Sequence, residues 1–455
     1  MYYYLCMWTV AQLAADLAAG RTSSHRLTED ALERIADRSG EGARAFIKVY
    51  AESALAEAAF SDQLRRHGVR RSPVDGLPVS IKDLFDVAGD VTCAGSRILS
   101  QKATADAGAV ARLRAAGAVF VGRTNMVEFA FGTTGINPHY GTPKNPWDRK
   151  TGRIPGGSSS GAAVAQADGM CVMALGSDTR GSIRIPAAFC GITGFKPTAR
   201  RVPREGAFPL SYTLDSVGPL ANSVACCATY DAILAGEPAE PLPELPAKGL
   251  RLLLPKSVVR DGLDREVKES FENSLERLQG AGAMVTEMPV PAFDRQSEYF
   301  TGGGYAGAEA YAIHRKNKER LPEYDPRVAK RVLLGADLSA ADYVDLGLLR
   351  AAFQREVCAA LAPFDAFVLP TVPCIAPPIA EVDASDEAYF RWNTRILGIV
   401  GLVNFLDGCA ASLPCHERAH VPSRAPVGLM VCGPAMSDRR ILAVAAAIER
   451  TLATA

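Results

Sequence analysis

Short apolar runs alternate with helical segments along most of the chain, and this alternation constrains the fold more than any other feature. The strand-like runs occupy residues 76–87, 118–122, 172–175, 249–255, 283–290, 364–373 and 426–433. The helical segments include one around 265–281 and a last one over 438–452. This order predicts an α/β protein whose mixed central β-sheet is covered by helices on both faces.

The N-terminal part of the chain, about sixty residues, has the apolar periodicity of helices, and Thr28 is a candidate N-cap. The periodic positions are Leu13, Leu17, Leu27, Ala31, Leu32 and Ile35. A Pro-rich segment over 235–248 could be a linker, but strand-like runs of the same style follow it. We therefore predict one large domain, which comprises a helical segment (1–70), a core (76–234) and a C-terminal α/β portion (249–455).

The charge composition argues against two classes of partner. The chain has 50 basic and 50 acidic residues and no formal net charge, whereas nucleic acids and anionic membranes attract basic surfaces. No uninterrupted apolar run reaches the length of about 18 residues that indicates a membrane span. We therefore predict neither nucleic acid nor a membrane as the main partner.

The cysteines and the N-terminus favour the cytoplasm. The 11 cysteines include no C-x-x-C pair, and Cys226 and Cys227 are adjacent, which is typical of reduced thiols. Segment 1–20 lacks the basic region of a signal peptide and contains Asp16, so an ordinary helix is expected there. A reducing cytoplasm is therefore the predicted location.

A long loop over 126–161 ends in the hexamer GGSSSG, and a second Gly/Ser turn, GSDTRGS, follows over 176–182. Long loops inside compact domains are usually functional. The hexamer leads directly into an Ala-rich helix, where its backbone N–H groups would face an anion or an oxyanion. A flexible linker remains the alternative, because the composition alone fits both interpretations.

Known motifs fit the hexamer poorly. Residues 157–161 match G-x-S-x-G, but no convincing strand precedes them, and the later His314, His416 and His420 are in unpersuasive settings. Neither G-x-x-x-x-G-K-[ST] nor S-x-x-K occurs in the sequence. These observations argue against a nucleophile elbow, a phosphate-binding loop and a penicillin-recognising serine enzyme.

The segment HERAH (416–420) matches H-E-x-x-H, the zinc-binding pattern of metalloproteases. Pro414 and Pro422 bracket this segment, and Val421 precedes a proline, so a helix would stop near the second histidine. A surface loop is favoured, and no metal is predicted.

A serine nucleophile without histidine requires another base that is neutral near pH 7, and lysine is the usual candidate. Lys82 in SIKDLF ends an otherwise apolar strand. Lowering a lysine pKa from about 10.4 to about 7 implies about 4–5 kcal/mol of differential stabilisation by burial and neighbours. By itself, Lys82 also fits a solvated charge at a strand end.

Taken together, these residues resemble the amidase signature family of serine amidohydrolases. The segments that carry the resemblance are GLPVSIKDLFDVAG, TNMVEFAFGTTG, NPWDRKTGRIPGGSSSGAAVA, ALGSDTRGSIRIPAAFCGITGFKPT and LDSVGPLANSV. The resemblance spans nearly the whole chain and is most specific over 156–198. It implies the amidase signature fold, C–N bond hydrolysis through a covalent acyl-enzyme, and no cofactor.

The resemblance also implies a role for each matching residue. Ser182 would be the nucleophile and Lys82 would be the base. Ser158 would lie beside an unusual cis peptide bond and would bridge the nucleophile and the lysine. A relay of protons from Ser182 through Ser158 to neutral Lys82 is chemically coherent. The implied oxyanion hole consists of the backbone N–H groups of Thr179, Arg180, Gly181 and Ser182.

Further residues are implied to support this site. Asp178 and Arg184 would form an ion pair that holds the turn, and Ser159 is expected to hydrogen-bond Lys82. The acyl pocket would be lined by Ala130, Phe131 and Gly132.

Three positions depart from the family pattern. Arg180 stands where glycine is usual, so it is strained if the site requires a positive φ, and otherwise its side chain could reach the pocket or brace a loop. Cys226 replaces a common aspartate. Ile185 is typical of stand-alone amidases, whereas the glutaminase subunit of tRNA-dependent amidotransferases usually has glutamine there.

We therefore expect hydrolysis of a small-molecule amide or carbamate (urethane), with an aryl amide or carbamate as the specific hypothesis and some esterase activity. The alternatives are the glutaminase (A-type) subunit of a tRNA-dependent amidotransferase and a non-catalytic binding protein. A homodimer is compatible with the resemblance alone.

Overall fold

The central sheet contains eleven strands within residues 9–256, 262–416 and 424–453, which are those that the computed structural model describes. The strands are β1 (Phe46–Val49), β2 (Pro78–Lys82), β3 (Val119–Thr124), β4 (Met173–Asp178), β5 (Thr193–Lys196), β6 (Ser216–Ala221), β7 (Arg251–Pro255), β8 (Met284–Met288), β9 (Ala366–Pro370), β10 (Cys409–Pro414) and β11 (Gly428–Gly433). Their order in the sheet is β1-β3-β2-β4-β6-β5-β10-β11-β9-β7-β8.

Helices connect and cover the strands. They are α1 (Val10–Ala18), α2 (Ser24–Ala36), α3 (Gly42–Ala45), α4 (Ala51–Arg66), α5 (Gly108–Ala115), α6 (Ser160–Ala167), α7 (Arg184–Cys190), α8 (Val224–Ala235), α9 (Arg265–Gly280), α10 (Pro291–Asp294), α11 (Gln296–Tyr299), α12 (Gly304–His314), α13 (Pro326–Leu333), α14 (Ala340–Leu361), α15 (Ile379–Val382), α16 (Asp386–Leu397), α17 (Leu402–Leu406) and α18 (Asp438–Ala453). Among the described residues, none of these helices is both long and apolar enough to cross a membrane.

The pairing of the strands confirms the predicted mixed sheet. β2 lies parallel between β3 and β4, and β7 lies parallel between β8 and β9. The other pairs are antiparallel. Because β2 and β4 are parallel neighbours, their carboxyl ends, Lys82 and Asp178, lie at the same edge of the sheet.

Both faces of the sheet are buried, as β3 illustrates. Val119 and Val121 belong to an apolar cluster that includes residues 162–165 of α6, whereas Phe120 belongs to the other, larger cluster. Successive side chains of a strand point to opposite faces, so each cluster covers one face. The predicted helical cover on both sides is therefore confirmed, and it explains the nearly continuous apolar runs.

The predicted strand runs correspond to β2, β3, β4, β7, β8, β9 and β11. Sequence analysis missed β1, β5, β6 and β10, because these strands contain glycine, proline, serine or lysine in place of a long apolar run. β6, for example, reads SVGPLA and is held by pairing with β4 and β5. In these strands, pairing with neighbouring strands outweighs the weak intrinsic β-propensity of the residues.

The N-terminal prediction was wrong in two details. The first sixty residues are not all helical, since β1 adds a strand at the edge of the sheet. Thr28 is not an N-cap, because α2 begins at Ser24 and Ser23 Oγ accepts a hydrogen bond from Arg26 N at 3.0 Å. Thr28 lies inside α2, fully buried, and its Oγ1 has no hydrogen-bond partner among the described residues.

The corrected helix start makes a prediction about stability. Replacing Ser23 by alanine removes the cap and should lower the free energy of unfolding by about 1 kcal/mol. The matched variant Thr28→Val removes a buried hydroxyl that has no partner, so stability should be unchanged or higher. The free energy of unfolding of both variants is measured by calorimetry or denaturant titration. A greater loss of stability in Thr28→Val than in Ser23→Ala would contradict the prediction.

Candidate active site

The site is built where β2 and β4 end. Lys82 is the last residue of β2, and the turn over 178–182 follows β4 directly. The Gly/Ser hexamer leads into α6, whose first residue is Ser160. The Ser159 N–H donates to the Ser182 carbonyl at 3.3 Å, so the hexamer and the turn are in contact. The structure therefore brings the sequence-predicted lysine and both serine segments together.

Lys82 is fully buried and is hydrogen-bonded to two hydroxyls. Its Nζ lies 2.7 Å from Ser158 Oγ and 2.9 Å from Ser177 Oγ. Burial lowers the pKa of Lys82 to about 7, and the more distant carboxylates of Asp178 and Asp215 oppose this only in part. A substantial fraction of the amino group is therefore neutral, and able to accept a proton, near pH 7.

The backbone of the hexamer confirms one implied feature and corrects another. The Gly157–Ser158 peptide is cis, as the resemblance implies for this position. Ser159, however, does not fill the predicted place beside Lys82, which Ser177 occupies instead. Ser159 Oγ lies 3.4 Å from the Ser177 carbonyl oxygen. The identity of the second hydroxyl depends on how the two turns pack, and no local pattern distinguishes the two serines.

Asp178 organises the turn that carries Ser182. Its carboxylate accepts hydrogen bonds from the N–H groups of Gly181 at 2.7 Å and Ile183 at 3.1 Å. Gly181 has a φ of 109°, which favours glycine, whereas Arg180 does not have a positive φ. The sequence alternative in which Arg180 is strained is therefore wrong.

The oxyanion-hole prediction needs one correction. The Gly181 N–H is already used inside the turn by Asp178, so it is not a free donor. Within the described parts of the chain, the N–H groups of Thr179, Arg180 and Ser182 have no acceptor. Those three groups remain available for an oxyanion beside Ser182, whose residue surface is 6% exposed.

The predicted ion pair between Asp178 and Arg184 is present and fully buried. Two bonds join the groups, Nη2 to Oδ1 at 2.9 Å and Nε to Oδ2 at 3.0 Å. Asn404 also donates to Asp178 Oδ1 at 2.9 Å. Burial alone would raise the pKa of Asp178, but Arg184 and the other donors hold it well below its usual range.

Sequence analysis missed Asp215, which lies behind the turn. Thr179 Oγ1 donates to Asp215 Oδ1 at 2.5 Å. Burial raises the pKa of Asp215 to about 6, although Thr179 and backbone N–H groups lower it in part. Asp215 lies within the motif LDSVGPLANSV, but its position near Lys82 follows only from the fold.

A cavity of about 380 Å³ adjoins these residues. It is lined by Ala130, Ser177, Thr179 and residues of the segment 204–217. Ala130 belongs to the segment predicted to line the acyl pocket, and its φ is 59°. The neighbouring Gly132 lies against the Tyr389 hydroxyl, which is 2.7 Å from the position a Cβ would take, so a side chain there would clash.

No metal-binding group of three or more histidine, cysteine, aspartate or glutamate residues occurs in the described ranges. The surface loop predicted for the H-E-x-x-H segment includes Glu417 and His420, which lie outside the described residues. His416 Nδ1 lies 3.3 Å from the Val427 N–H.

Comparison with known proteins agrees with the fold and the motifs. The amidase family model matches residues 26–442, so the chain belongs to the amidase (amidase signature) family. It is 36% identical to the 2-amino-5-chloromuconic acid deaminase of Comamonas testosteroni, covering 87% of this chain and 86% of the relative. It is also 34% identical to the A-type subunit of the glutamyl-tRNA(Gln) amidotransferase of Chromohalobacter salexigens, over 96% and 95% of the two chains.

Solved structures give the same result. A crystal structure of an amidase superposes with a TM-score of 0.87 at 35% identity, covering 97% of this chain and 99% of that one. The peptide amidase of Stenotrophomonas maltophilia superposes with a TM-score of 0.79 at 28% identity, covering 98% and 97%. The predicted family and fold class are confirmed, and the protein is an amidase-family hydrolase of C–N bonds.

The buried ion pair yields a stability prediction. Arg184→Met would leave Asp178 charged and buried without its main partner, so the free energy of unfolding should fall by about 3–5 kcal/mol. The control Arg26→Met removes one side of an exposed pair with Asp30 and should have little effect. Thermal or denaturant unfolding compares them, and equal stability of the two variants would contradict the prediction.

Proposed function

We propose that the protein hydrolyses the C–N bond of a small-molecule amide or carbamate with a triad of Lys82, Ser158 and Ser182. The observation that carries the proposal is the 2.7 Å hydrogen bond between a buried lysine, whose pKa is about 7, and Ser158. The turn that carries Ser182 contacts the segment that carries Ser158. This arrangement supplies a base, a proton relay and a nucleophile without histidine.

In the first half of the reaction, neutral Lys82 accepts the proton of Ser158 Oγ. Ser158 Oγ accepts the proton of Ser182 Oγ as that oxygen bonds to the substrate carbonyl carbon. The carbonyl oxygen becomes an oxyanion that faces the free N–H groups of Thr179, Arg180 and Ser182. Preorganised donors of this kind typically contribute several kcal/mol to transition-state stabilisation.

The relay then runs in reverse. The Lys82 ammonium returns a proton through Ser158 to the leaving nitrogen, the C–N bond breaks, and an acyl-enzyme remains on Ser182, which is an alkoxycarbonyl-enzyme when the substrate is a carbamate. A water molecule attacks this ester by the same relay and releases the carboxylic acid or, from a carbamate, a carbonic acid half-ester that decomposes to CO2 and an alcohol. Overall, one water is consumed and one amine is released.

An aryl amide or carbamate is the proposed substrate class. Some esterase activity is also expected, because the same acyl-enzyme forms whether an amine or an alcohol leaves the carbonyl carbon. The names of the relatives do not distinguish among these substrates. One relative is a deaminase, another is an amidotransferase subunit, and a third is a peptide amidase. A homodimer and a cytoplasmic location remain predictions.

A glutaminase subunit is the second candidate, favoured by the 34% identity to the A-type subunit of an amidotransferase over 96% of this chain. Ile185, which is buried behind the turn, argues against it because that class usually has glutamine there. Glutamine hydrolysis that depends on a co-purified partner protein would support this candidate. Activity of the isolated chain on other amides would favour the stand-alone enzyme.

The nucleophile can be tested with a substrate panel. Amine release is measured from anilides, aliphatic amides, N-aryl carbamates and glutamine, and alcohol or phenol release from aryl esters. Wild type should hydrolyse at least one class, and Ser182→Ala should abolish this turnover without lowering the melting temperature. Turnover retained by Ser182→Ala would contradict the proposed nucleophile.

The base can be tested against a second buried lysine. Lys82→Met should lower kcat/KM by at least about 10³-fold, because only the oxyanion hole and binding remain. Lys196 is also buried, but its Nζ donates to the carbonyls of Pro197 and Gly408. Lys196→Met should therefore lower stability and keep most of the activity per folded molecule. Similar activity losses in both variants would contradict a specific role for Lys82.

The pH dependence provides an independent test. Neutral Lys82 is the active form, so kcat/KM should rise with pH, with a slope near one on a logarithmic plot, and level off above about pH 7. The Asp215 carboxylate raises the pKa of Lys82, so Asp215→Asn should move the inflection to lower pH. A profile that is flat through pH 7, or an inflection that moves to higher pH in the variant, would contradict this assignment.

A further inference from the structure

Two arginines beside the proposed site have no anionic partner within the described parts of the chain. Arg180, in the turn before Ser182, has its guanidinium carbon 3.7 Å from the centre of the Phe300 ring. Arg331, in α13, has its guanidinium carbon 4.5 Å from the centre of the Phe131 ring. Arg180 Nε and Arg331 Nη1 are buried and have no hydrogen-bond partner among the residues described.

The two guanidinium groups interact with each other through their charge. Burial lowers the pKa of Arg180 to about 9, and repulsion from Arg331 contributes to this shift. Burial also lowers the pKa of Arg331, and Tyr389 opposes this shift. Two like charges have therefore been placed near each other in a partly dehydrated region, which is costly without a counter-ion.

Other buried arginines of the described chain are neutralised. Arg184 pairs with Asp178, and Arg123 pairs with Asp83 at 2.8 Å. Arg327, one turn before Arg331 in α13, pairs with Asp383 and Asp386. Half-buried arginines such as Arg277 and Arg350 have no carboxylate partner in the described ranges either, but they donate to backbone carbonyls. Arg180 Nε and Arg331 Nη1 have no acceptor of any kind among the described residues.

The surroundings of the pair belong to the same region as the predicted acyl pocket. Phe131, under Arg331, is one of the three residues predicted to line it. The Tyr389 hydroxyl, against Gly132, is also buried without a hydrogen-bond partner in the described chain. Stacking on an aromatic ring engages the face of a guanidinium and leaves its edge N–H donors available.

We propose that Arg180 and Arg331 bind a carboxylate group on the acyl side of the substrate, so that the enzyme selects amides bearing a free carboxylate. Guanidinium groups match a carboxylate through paired hydrogen bonds that are stronger than those between neutral groups. The inference rests on the proposed function and extends it to the substrate class. It also assigns a role to arginine at the position where the family usually has glycine.

The kinetic test compares charged and neutral amides of equal length. The monoamides of malonic, succinic, glutaric and adipic acid are paired with the neutral alkyl amides, and the ratio of kcat/KM values is measured. Wild type should prefer one charged member, and Arg180→Met and Arg331→Met should each lower its ratio by about 10- to 100-fold. Arg180→Lys should restore part of the preference.

Lys330→Met is the matched control. Lys330 lies beside Arg331 in α13, but its side chain is exposed and pairs with Asp386, so removal of this charge should leave the ratio unchanged. Equal ratios in wild type, Arg180→Met and Arg331→Met would overturn the proposal. A drop in melting temperature without a change of ratio would show that the arginines act only in folding.

A binding measurement separates this proposal from the proposed function. Ser182→Ala is titrated calorimetrically with succinate, glutarate and the four monoamides, with and without Arg180→Met. Binding that weakens by at least about tenfold in the double variant supports the carboxylate site even if no panel amide is hydrolysed. Absence of any carboxylate binding overturns the site, whereas turnover retained by Ser182→Ala overturns the triad alone.

Discussion

The buried amino group of Lys82 is the constraint on which the site depends. An ammonium group removed from water costs several kcal/mol unless an anion compensates it. The hydrogen-bond partners of Lys82 are the hydroxyls of Ser158 and Ser177, and not a carboxylate. The pKa of Lys82 is consequently about 7, so a substantial fraction of the amine is neutral near pH 7 and can act as a base. Both Gly/Ser segments are needed, because each supplies one of these hydroxyls.

The carboxylates close to Lys82 have other partners, and this keeps the lysine from forming an ion pair. Asp178 follows Ser177 in β4, and successive side chains of a strand point in opposite directions. Ser177 therefore meets Lys82, while Asp178 meets Arg184 and the N–H of Gly181. The same carboxylate raises the pKa of the lysine from a distance and shapes the turn that carries the proposed nucleophile.

Two kinds of buried cation thus border the proposed site. Arg184 is neutralised by Asp178 and has a structural role in the turn. Arg180 and Arg331 lack such a partner among the described residues, and each lies over an aromatic ring. In our proposals, neutral Lys82 accepts a proton as the base, and the two charged arginines bind the carboxylate on the acyl side of the substrate. Catalysis and substrate selection therefore depend on separate groups.

The sequence by itself determined the fold class, the family and the residues that meet at the edge of the sheet, because apolar periodicity and the Gly/Ser motifs are local patterns. Only the tertiary structure decided that Ser177 takes the place predicted for Ser159, and that the Gly181 N–H donates to Asp178. It also paired the weak strands β1, β5, β6 and β10. Burial, pKa and charge compensation depend on groups far apart in the chain, such as Lys82 and Ser158, 76 positions apart. A local sequence pattern does not determine which of these distant residues come into contact.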